Sequence, residues 1–397
     1  MNFKKETIGD VLELMTNGIN CKQNKKGNGV KISRIETIAN REINYQKTGF
    51  SKLTEVDKKK YKLIKGDILF SHINSPIHVG KTAIYNGKED LYHGINLLKL
   101  RVKKHISPNY FKHFLDEVFQ SGYWRRTSKQ SVNQASVNQT DIKKIDFFYP
   151  PLMEQQRIVA KLDASFIETN KVIVKLENQE MQLNNLFKSI LKTYFENESL
   201  QGIKLKNVLK ITSSKRVLKS HYVSSGVPFY RTKEIKELAN NKLVSTKLFI
   251  SRNRFDDFKK KFDVPKSGDI LITAIGTIGE VYIVKDDDEF YFKDGNILWM
   301  KDISKLNSYY LRYALIYFVD KINKLAHGAA YSALPINKLK EYKIHIPSLQ
   351  EQTKIVSKLD KISKHVFDLK KINTKKISNF KTLDNLILSQ ELKSKAA

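Results

Sequence analysis

The sequence predicts a mixed α/β protein in which two similar globular domains are separated by an antiparallel two-helix coiled coil. Three observations support this prediction. One motif occurs twice, 197 positions apart. Short β-type runs and helical runs alternate in each half, and a long segment without proline or glycine follows the first copy of the motif. The 397 residues are enough for two or three domains of ordinary size.

The repeated motif reads PPLMEQQRIVAKLD at 150–163 and PSLQEQTKIVSKLD at 347–360. A second match, GDIL at 66–69 and at 268–271, has an offset of 202. A drifting offset indicates short loop insertions and deletions on a shared framework. We therefore interpret the chain as a tandem duplication. It predicts globular domains at 1–150 and 199–347 and long helices at 151–198 and 348–397.

Each globular part contains short apolar runs that predict strands and longer runs with aromatic faces that predict helices. The predicted strands cover 68–70, 82–85 and 97–102, with counterparts at 270–273, 281–284 and 297–300. The predicted helices cover 109–120 and 308–325. This mixture indicates a sheet with helices packed on it.

A long helix is predicted after each globular part. The segment 152–196 contains neither proline nor glycine, and Leu162, Leu176 and Leu183 follow a seven-residue rhythm. The second helix keeps such a rhythm from Leu359 onward. At ~1.5 Å per residue the first helix would span roughly 65 Å, so its natural partner is the other long helix. The alternative is that each helix folds back on its own domain.

The charge balance indicates a polyanionic partner. Lys and Arg number 71 against 41 Asp and Glu, a formal net charge of +30, which favours nucleic acid over an anionic membrane. The alternative explanation is an AT-rich genome, in which lysine codons are abundant. Cys21 is the only cysteine, which excludes an intramolecular disulfide and a zinc site built from several cysteines. No segment has the ~18 uninterrupted apolar residues of a membrane span, so we expect a cytoplasmic protein without membrane contact.

No motif predicts a catalytic residue, a metal site or a cofactor bound by this chain. Gly80-Lys81-Thr82 resembles the end of a phosphate-binding loop, but Ser75 stands where that loop needs glycine. The equivalent Gly279 is followed by glutamate and valine, which favours a tight turn. The acidic run 286–289 lacks the spacing of a calcium loop and is interpreted as a solvated hairpin tip.

The twice-occurring motif resembles the specificity (S) subunit of type I restriction-modification systems. The GDIL runs and the turn from Gly276 to Gly279 add to the resemblance, which extends over nearly the whole chain. The second copy departs from the first at Ser348, Thr353 and Lys354, so the surfaces around the two copies need not be equivalent.

The resemblance implies a non-catalytic subunit. Each globular part would be a target-recognition domain that reads one half of a bipartite site in double-stranded DNA. The helices would set the gap between the half-sites and dock two methyltransferase (M) subunits, which methylate adenine with S-adenosylmethionine. Restriction (R) subunits join in the systems that cleave DNA. The spacer and docking residues would be Glu154, Gln155, Arg157, Leu162, Leu176, Leu183, Glu351, Gln352, Lys354, Leu359, Val366 and Leu383.

Side chains that read or hold DNA are Arg, Lys, Asn, Gln, Ser, Thr or His on loops and helix ends. In the first domain three stretches offer this chemistry, and the residues predicted to contact DNA are Lys22, Gln23, Lys25, Lys26, Arg34, His72, Asn74, Ser75, Arg125, Arg126, Lys129, Gln130, Asn133 and Gln134. The alternative for the stretch 122–135 is an exposed polar loop.

In the second domain, the residues predicted to contact DNA are Lys215, Arg216, Arg231, Arg252, Arg254, Thr273, His327, Tyr331 and Ser332. Different chemistry at matched positions fits two different half-sites. A single basic residue in these sets more often holds a phosphate than reads a base.

Two other functions are open from the sequence. A non-specific architectural protein would bridge DNA of any sequence and need no methyltransferase. A nucleotide-dependent enzyme built on Gly80-Lys81-Thr82 would be active without partners.

Overall fold

A computed structural model of the chain describes residues 3–132, 134–196, 202–303, 306–325, 333–334 and 336–393. By its internal contacts the chain divides into two compact units. The first runs to Leu176 and takes in the chain again from Thr374, and the second is Glu177–Asn373. Among the described helices, none combines the length and the apolar composition needed to cross a membrane.

The first half of the chain contains six helices and eleven strands in its described residues. The helices are α1 (Ile8–Val11), α2 (Glu55–Tyr61), α3 (Pro108–Gln120), α4 (Tyr123–Thr127), α5 (Gln139–Lys143) and α6 (Leu152–Phe195). The strands are β1 (Lys4–Thr7), β2 (Leu12–Asn17), β3 (Val30–Ile32), β4 (Gly49–Ser51), β5 (Ile68–Phe70), β6 (Ile73–Asn74), β7 (Thr82–Ile84), β8 (Leu98–Val102), β9 (Lys129–Ser131), β10 (Gln134–Ser136) and β11 (Asp146–Tyr149). Short 3-10 turns cover Ile35–Ile38 and Tyr45–Lys47.

The second half contains five helices and ten strands in its described residues. The helices are α7 (Thr232–Ala239), α8 (Arg252–Lys261), α9 (Ser308–Leu325), α10 (Ile336–Glu341) and α11 (Leu349–Lys393). The strands are β12 (Ile203–Lys204), β13 (Lys210–Thr212), β14 (Tyr222–Val223), β15 (Val227–Tyr230), β16 (Phe249–Ile250), β17 (Ile270–Thr273), β18 (Val281–Ile283), β19 (Tyr291–Phe292), β20 (Ile297–Lys301) and β21 (Lys343–Ile344).

The two halves share one sheet topology. The first has a four-stranded antiparallel sheet in the order β2-β8-β5-β7, and the second has the equivalent order β13-β20-β17-β18. A separate antiparallel pair, β1-β11 or β12-β21, lies before each long helix. The predicted strands are confirmed to within two residues. So are the two helices predicted at 109–120 and 308–325, which are α3 and α9 and are called the medium helices below. The mixed α/β class and the duplication are therefore confirmed.

In the first unit, the core lies between the sheet and helix α3. Ser107 caps this helix by accepting a hydrogen bond from the amide of Tyr110, and Pro108 occupies its first turn, where a missing N–H has no cost. The aromatic face of α3 buries Tyr110 and Phe111 against the sheet, where Phe70 is fully buried. Burial on this scale supplies the main stabilisation of such a domain.

Helix α6 begins directly after the prolines of the repeated motif. The amides of Glu154 and Gln155 donate to the carbonyl of Pro151 at 2.9 and 3.1 Å, closing the first turn. The next turns bury Ile158 and Leu162 in the core of the first unit, so the start of the helix does pack on its own domain.

The two long helices also run antiparallel to one another within the first unit. Thr169 on α6 donates from Oγ1 to Oδ1 of Asp384 on α11 at 2.8 Å, and Lys161 pairs with Glu391. A position earlier on α6 thus meets a position later on α11. In the second unit, Lys370 of α11 bonds Asn184 of α6 with the same sense of direction.

The last turns of each long helix complete the core of one unit. Leu388 and Leu392 near the end of α11 are buried in the core of the first unit. Leu191 near the end of α6 is buried with Tyr313 and Leu359 in the second unit. Leu191 and Leu388 stand 197 positions apart, so the duplication extends to these contacts.

The predicted seam is confirmed in part. Leu162, Leu176, Leu359 and Val366 are buried, but Leu183 is only half-buried. Leu383 keeps 43% of its surface exposed.

Candidate nucleic-acid interface

In the first domain, the stretch predicted to contact DNA is a short helix followed by a hairpin. Helix α4 carries the exposed Arg125 and Arg126, and strands β9 and β10 pair antiparallel. The hairpin joins β6 through the pairs Ala135 with Asn74 and Ser136 with Ile73. The stretch is exposed and polar, as the alternative expected, but it forms a short helix and a paired hairpin in place of an unpaired loop.

Trp124 anchors this element to the domain. Its side chain is 1% exposed and meets Phe70 edge-on at 5.2 Å between ring centroids. Gly80, at a φ of 88°, lies so close that an added Cβ would come within 2.1 Å of the Trp124 ring. The packed tryptophan holds the short helix that carries Arg125 and Arg126 against the domain.

The hairpin exposes polar and cationic chemistry over a short length. Lys129, Gln130 and Gln134 are exposed, and Val132 at the turn is 93% exposed. Gln130 donates from Nε2 to the carbonyl of Arg125 at 2.9 Å, which ties the hairpin to α4. Asn133 lies outside the described residues.

A second cationic feature of the first domain is the lysine-rich loop 22–28. Asn24 exchanges two backbone hydrogen bonds with Phe50 at 2.8 and 2.9 Å, and its side-chain oxygen accepts from the amide of Lys26 at 2.9 Å. The loop is therefore held against strand β4, with Lys22, Lys25 and Lys26 exposed.

This loop lies beside a groove of about 370 Å³. The groove is lined by Lys25, Arg34, Glu36, Gln46, Lys47, Thr48 and Phe50. Sequence reasoning found Lys25 and Arg34 but missed Gln46 and Lys47, which lie in the 3-10 turn that Asn44 caps. Gln23 does not line the groove, because the oxygen of its side chain is buried next to Gly49.

The loop after β5 contributes less than its sequence predicts. Asn74 donates from Nδ2 to Oγ of Ser71 at 3.0 Å and accepts from the amide of Ser75 at 2.8 Å, so its side chain is used within the loop. Burial lowers the pKa of His72 below its ordinary value, which favours the neutral ring at neutral pH. His72 is then a hydrogen-bonding group and not a cation.

The lysine of the Gly80-Lys81-Thr82 run has a structural partner. Its Nζ donates to the carbonyl of Ala39 at 2.6 Å, and burial followed by the charge of Arg41 lowers its pKa. The equivalent Gly279, at a φ of 89°, packs against Val319 in the same way that Gly80 packs against Trp124. Both glycines therefore make close-packed tight turns.

In the second domain, three of the predicted cations have partners within the chain. Lys215 lies over the ring of Phe262 at 4.9 Å. Arg252 forms a double hydrogen bond with Glu289 at 2.7 and 2.6 Å, which holds the pKa of that carboxyl below its usual value. Arg231 pairs with Glu234, and a contact to DNA would have to compete with these bonds.

Two further predicted residues of the second domain differ in exposure. Arg216 is exposed and Arg254 is half-buried on α8. The prediction for Thr273 does not fit the structure, because its side chain is fully buried and accepts from the amide of Glu280 at 3.0 Å. His327, Tyr331 and Ser332 lie outside the described residues.

The residues predicted to dock partners fall into two groups by exposure. Glu154 and Arg157 form a two-bond ion pair at 2.7 and 2.8 Å on the surface of α6, and Glu351 and Lys354 are exposed on α11. Gln155 and Gln352 are fully buried and bond within the chain, so their side chains do not face a partner.

An apolar groove of about 660 Å³ runs between α6 and α11 in the first unit. It is lined by Val172, Leu176, Lys376, Asn379, Phe380, Thr382, Leu383 and Leu386. Leu386 is 57% exposed, and the residues predicted to dock partners include Leu176 and Leu383 of this set.

The chain is similar to proteins of one family. The family model of the type I restriction modification DNA specificity domain matches twice, over residues 1–180 and 197–379. The MjaX type I restriction enzyme specificity subunit of Methanocaldococcus jannaschii is 32% identical over 432 aligned positions, which cover 99% of this chain and 97% of the relative. The EcoKI specificity subunit of Escherichia coli is 26% identical over 199 positions, 49% of this chain and 43% of that protein.

A solved structure has the same fold. It comes from a study of complex assembly and conformational transition of the type I R-M system, and it matches with a TM-score of 0.72 and 18% identity over 99% of this chain and 98% of that one. The duplicated sheets, the long helices and the twice-matched domain agree. The chain belongs to the family of type I restriction-modification specificity subunits.

Proposed function

We propose that each globular domain reads one half of a split target in double-stranded DNA and that the long helices set the gap and dock two methyltransferase subunits. The observation that carries the DNA-reading part is the α4 and hairpin element of the first domain. It presents Arg125, Arg126, Lys129, Gln130 and Gln134 on a base anchored by buried Trp124. Cations hold phosphates and amides read base edges, so one element supplies both chemistries.

The groove beside the lysine-rich loop supports a broader DNA contact in the same domain. Lys25 and Lys47 supply positive charge, and Gln46 supplies an amide that can read base edges. Arg34 pairs with Glu36 at 3.5 Å, so its contact with DNA would compete with that carboxylate. The overall charge of +30 supports the same partner.

The docking part of the proposal is supported by the apolar face of the long helices. Phe380, Leu383 and Leu386 line an open groove, and large exposed apolar patches of a soluble protein typically mark an interaction site. An amphipathic helix of a methyltransferase subunit is the occupant that this groove fits, since helix-in-groove binding uses apolar anchors at such spacing. The methyl donor S-adenosylmethionine would be bound by that partner, and restriction subunits would join only in a system that also cleaves DNA.

The DNA-reading part is tested by methylation sequencing with the full complex of this chain and its methyltransferase subunits. The triple variant Arg125→Ala, Arg126→Ala, Lys129→Ala should change or relax the first half-site and leave the second unchanged. The matched control is Lys59→Ala, Lys65→Ala, Lys104→Ala, which removes three exposed lysines of the same domain outside the predicted set. Equal loss at both half-sites, or equal binding of all sequences by the wild type, would contradict the proposal and favour an architectural DNA bridge.

The docking part is tested by co-purification. Leu383→Asp with Leu386→Asp should abolish the complex with the methyltransferase subunit, because two charges would enter the apolar groove. Lys381→Asp is the control, since Lys381 is exposed on α11 and does not line the groove. Retention of the complex by the double variant would refute this docking surface.

A further inference from the structure

The repeated motif places a glutamine and an aspartate on each long helix, eight residues apart, and both contact the globular part that precedes that helix. The pairs are Gln155 with Asp163 and Gln352 with Asp360. In each half the contacts reach the beginning and the second turn of the medium helix, α3 or α9. These two contacts form what we call the helix clamp of each half.

The glutamine makes the buried contact of the clamp. Oε1 of Gln155 accepts from the amide of Ser107 at 2.8 Å, and its Nε2 donates to the carbonyl of Pro150 at 2.9 Å. Oε1 of Gln352 accepts from the amide of Asn307 at 2.7 Å, and its Nε2 donates to the carbonyl of Pro347 at 2.8 Å.

Both glutamines are fully buried. Each one ties the residue just before the medium helix to the residue at which the repeated motif begins.

The aspartate makes the second contact. Oδ1 of Asp163 bonds Nε2 of His113 at 3.0 Å, and Oδ1 of Asp360 accepts from the hydroxyl of Tyr313 at 2.6 Å. His113 and Tyr313 occupy matching positions on α3 and α9 and are both buried, whereas both aspartates are exposed. An aspartate is the acceptor in both halves, whereas the donor is a histidine in one and a tyrosine in the other. The two halves therefore share the hydrogen bond between the long helix and the medium helix.

Two contacts eight residues apart lie about 12 Å apart along the helix axis, at ~1.5 Å of rise per residue. Ile158 and Leu162 already pack this stretch of helix into the core of the domain. The two hydrogen bonds at its ends add directional contacts that resist a change of tilt. A domain of about 150 residues is roughly 30–40 Å across. A tilt of about 6° would therefore move its far surface by roughly 3–4 Å, close to the ~3.4 Å between neighbouring base pairs.

We infer that Asp163 and Asp360 are positioning residues that fix the angle of each globular domain on its long helix, and that this angle determines the number of base pairs between the half-sites. This inference rests on the proposed function. It gives the aspartate that ends each copy of the repeated motif a role in determining the length of the gap. Neither aspartate needs to contact DNA or a partner for this role.

The test uses the full complex with methyltransferase subunits and a set of DNA targets whose gap varies one base pair at a time. Wild type should methylate one gap length strongly. Asp163→Leu should raise methylation at gaps one base pair shorter or longer, relative to the native gap, by about fivefold or more. Asp163→Asn keeps an acceptor for His113 and should restore the wild-type gap preference.

The second half offers a variant that changes a single atom. Tyr313→Phe removes the hydroxyl, which donates to Asp360 and also contacts Ser363 on the same long helix, and it should broaden the gap preference as Asp163→Leu does. Tyr309→Phe is the matched control, since Tyr309 is 53% exposed on the same helix. Thermal unfolding of each variant, compared with wild type, checks that the protein remains folded.

A folded Tyr313→Phe or Asp163→Leu complex with the wild-type gap preference overturns the inference. So does an equal loss of methylation at every gap length, because this indicates a general structural role. If wild type itself methylates no split target at any gap, the proposed function fails and the inference fails with it.

Discussion

Replacing Leu388 by alanine removes three carbon atoms from the core of the first unit, although Leu388 lies near the end of the second long helix. The side chain is 1% exposed and packs in the cluster that includes Ile158 and Leu162. A buried leucine replaced by alanine typically costs about 2–5 kcal/mol, part of it from the cavity that remains. For a unit of this size, a cost of about 3 kcal/mol corresponds to a fall in Tm of roughly 6–12 °C.

The assay combines thermal unfolding with amide hydrogen exchange. Leu388→Ala should lower the Tm at which the first unit unfolds. It should also speed the amide hydrogen exchange of strands β5 and β8, which lie in the first domain. Leu386→Ala is the control, since Leu386 is 57% exposed and should cost well under 1 kcal/mol. Leu191→Ala, at the equivalent position of the other half, should act on the second unit instead.

Two results would refute this reasoning. One is an unfolding curve for Leu388→Ala that matches the curve for Leu386→Ala. The other is faster exchange confined to residues of the second unit, because the contact of Leu388 would then not belong to the core of the first.

Three further outcomes are expected. Asp116→Asn should destabilise the first unit by about 3–5 kcal/mol in chemical denaturation, because buried Asp116 pairs with Arg41 at 2.9 Å and Lys112 at 2.6 Å and both cations would lose their partner. Burial lowers the pKa of His93 to about 4, so below its ordinary pKa of 6.5 the unfolded chain binds a proton that the folded one does not. Stability should fall as the pH drops from about 7 towards 4, and His93→Asn should flatten this part of a plot of Tm against pH. Lys129→Ala should lower the slope of log binding constant against log salt by about 0.9 if it holds a phosphate, and an unchanged slope would contradict that contact.

The fold class could be predicted from the sequence because the same pattern of strand and helix runs occurs in both halves of the chain. Runs such as Ile68–Phe70 and Ile270–Thr273 are short, apolar and flanked by turn residues, so periodicity and the repeat agree on them. The long helices follow from their uninterrupted composition and from the prolines before them. Heptad spacing placed Leu162 and Leu359 correctly but overestimated the burial of Leu183 and Leu383, because a rhythm in sequence does not state which partner covers a side chain.

The candidate interface was harder to predict, for reasons of long-range pairing. The hairpin β9-β10 carries polar residues on both faces and is organised by pairing with β6, which lies more than fifty positions earlier. Gln46 and Lys47 come beside Lys25 only because Asn24 binds strand β4. Thr273 has the right chemistry for DNA but is turned inward, and composition alone cannot show that direction.

The contribution of Leu388 and Leu392 to the first unit has a consequence for synthesis on the ribosome. The first domain emerges early, yet the residues that complete its core are made roughly 200 positions after the first long helix ends. At about 5–20 residues per second, that interval is on the order of 10–40 seconds. During this interval Ile158 and Leu162 are not yet covered by Leu388 and Leu392. A nascent chain that stalls or ends early would therefore expose an aggregation-prone apolar surface, although the first domain itself has been fully translated.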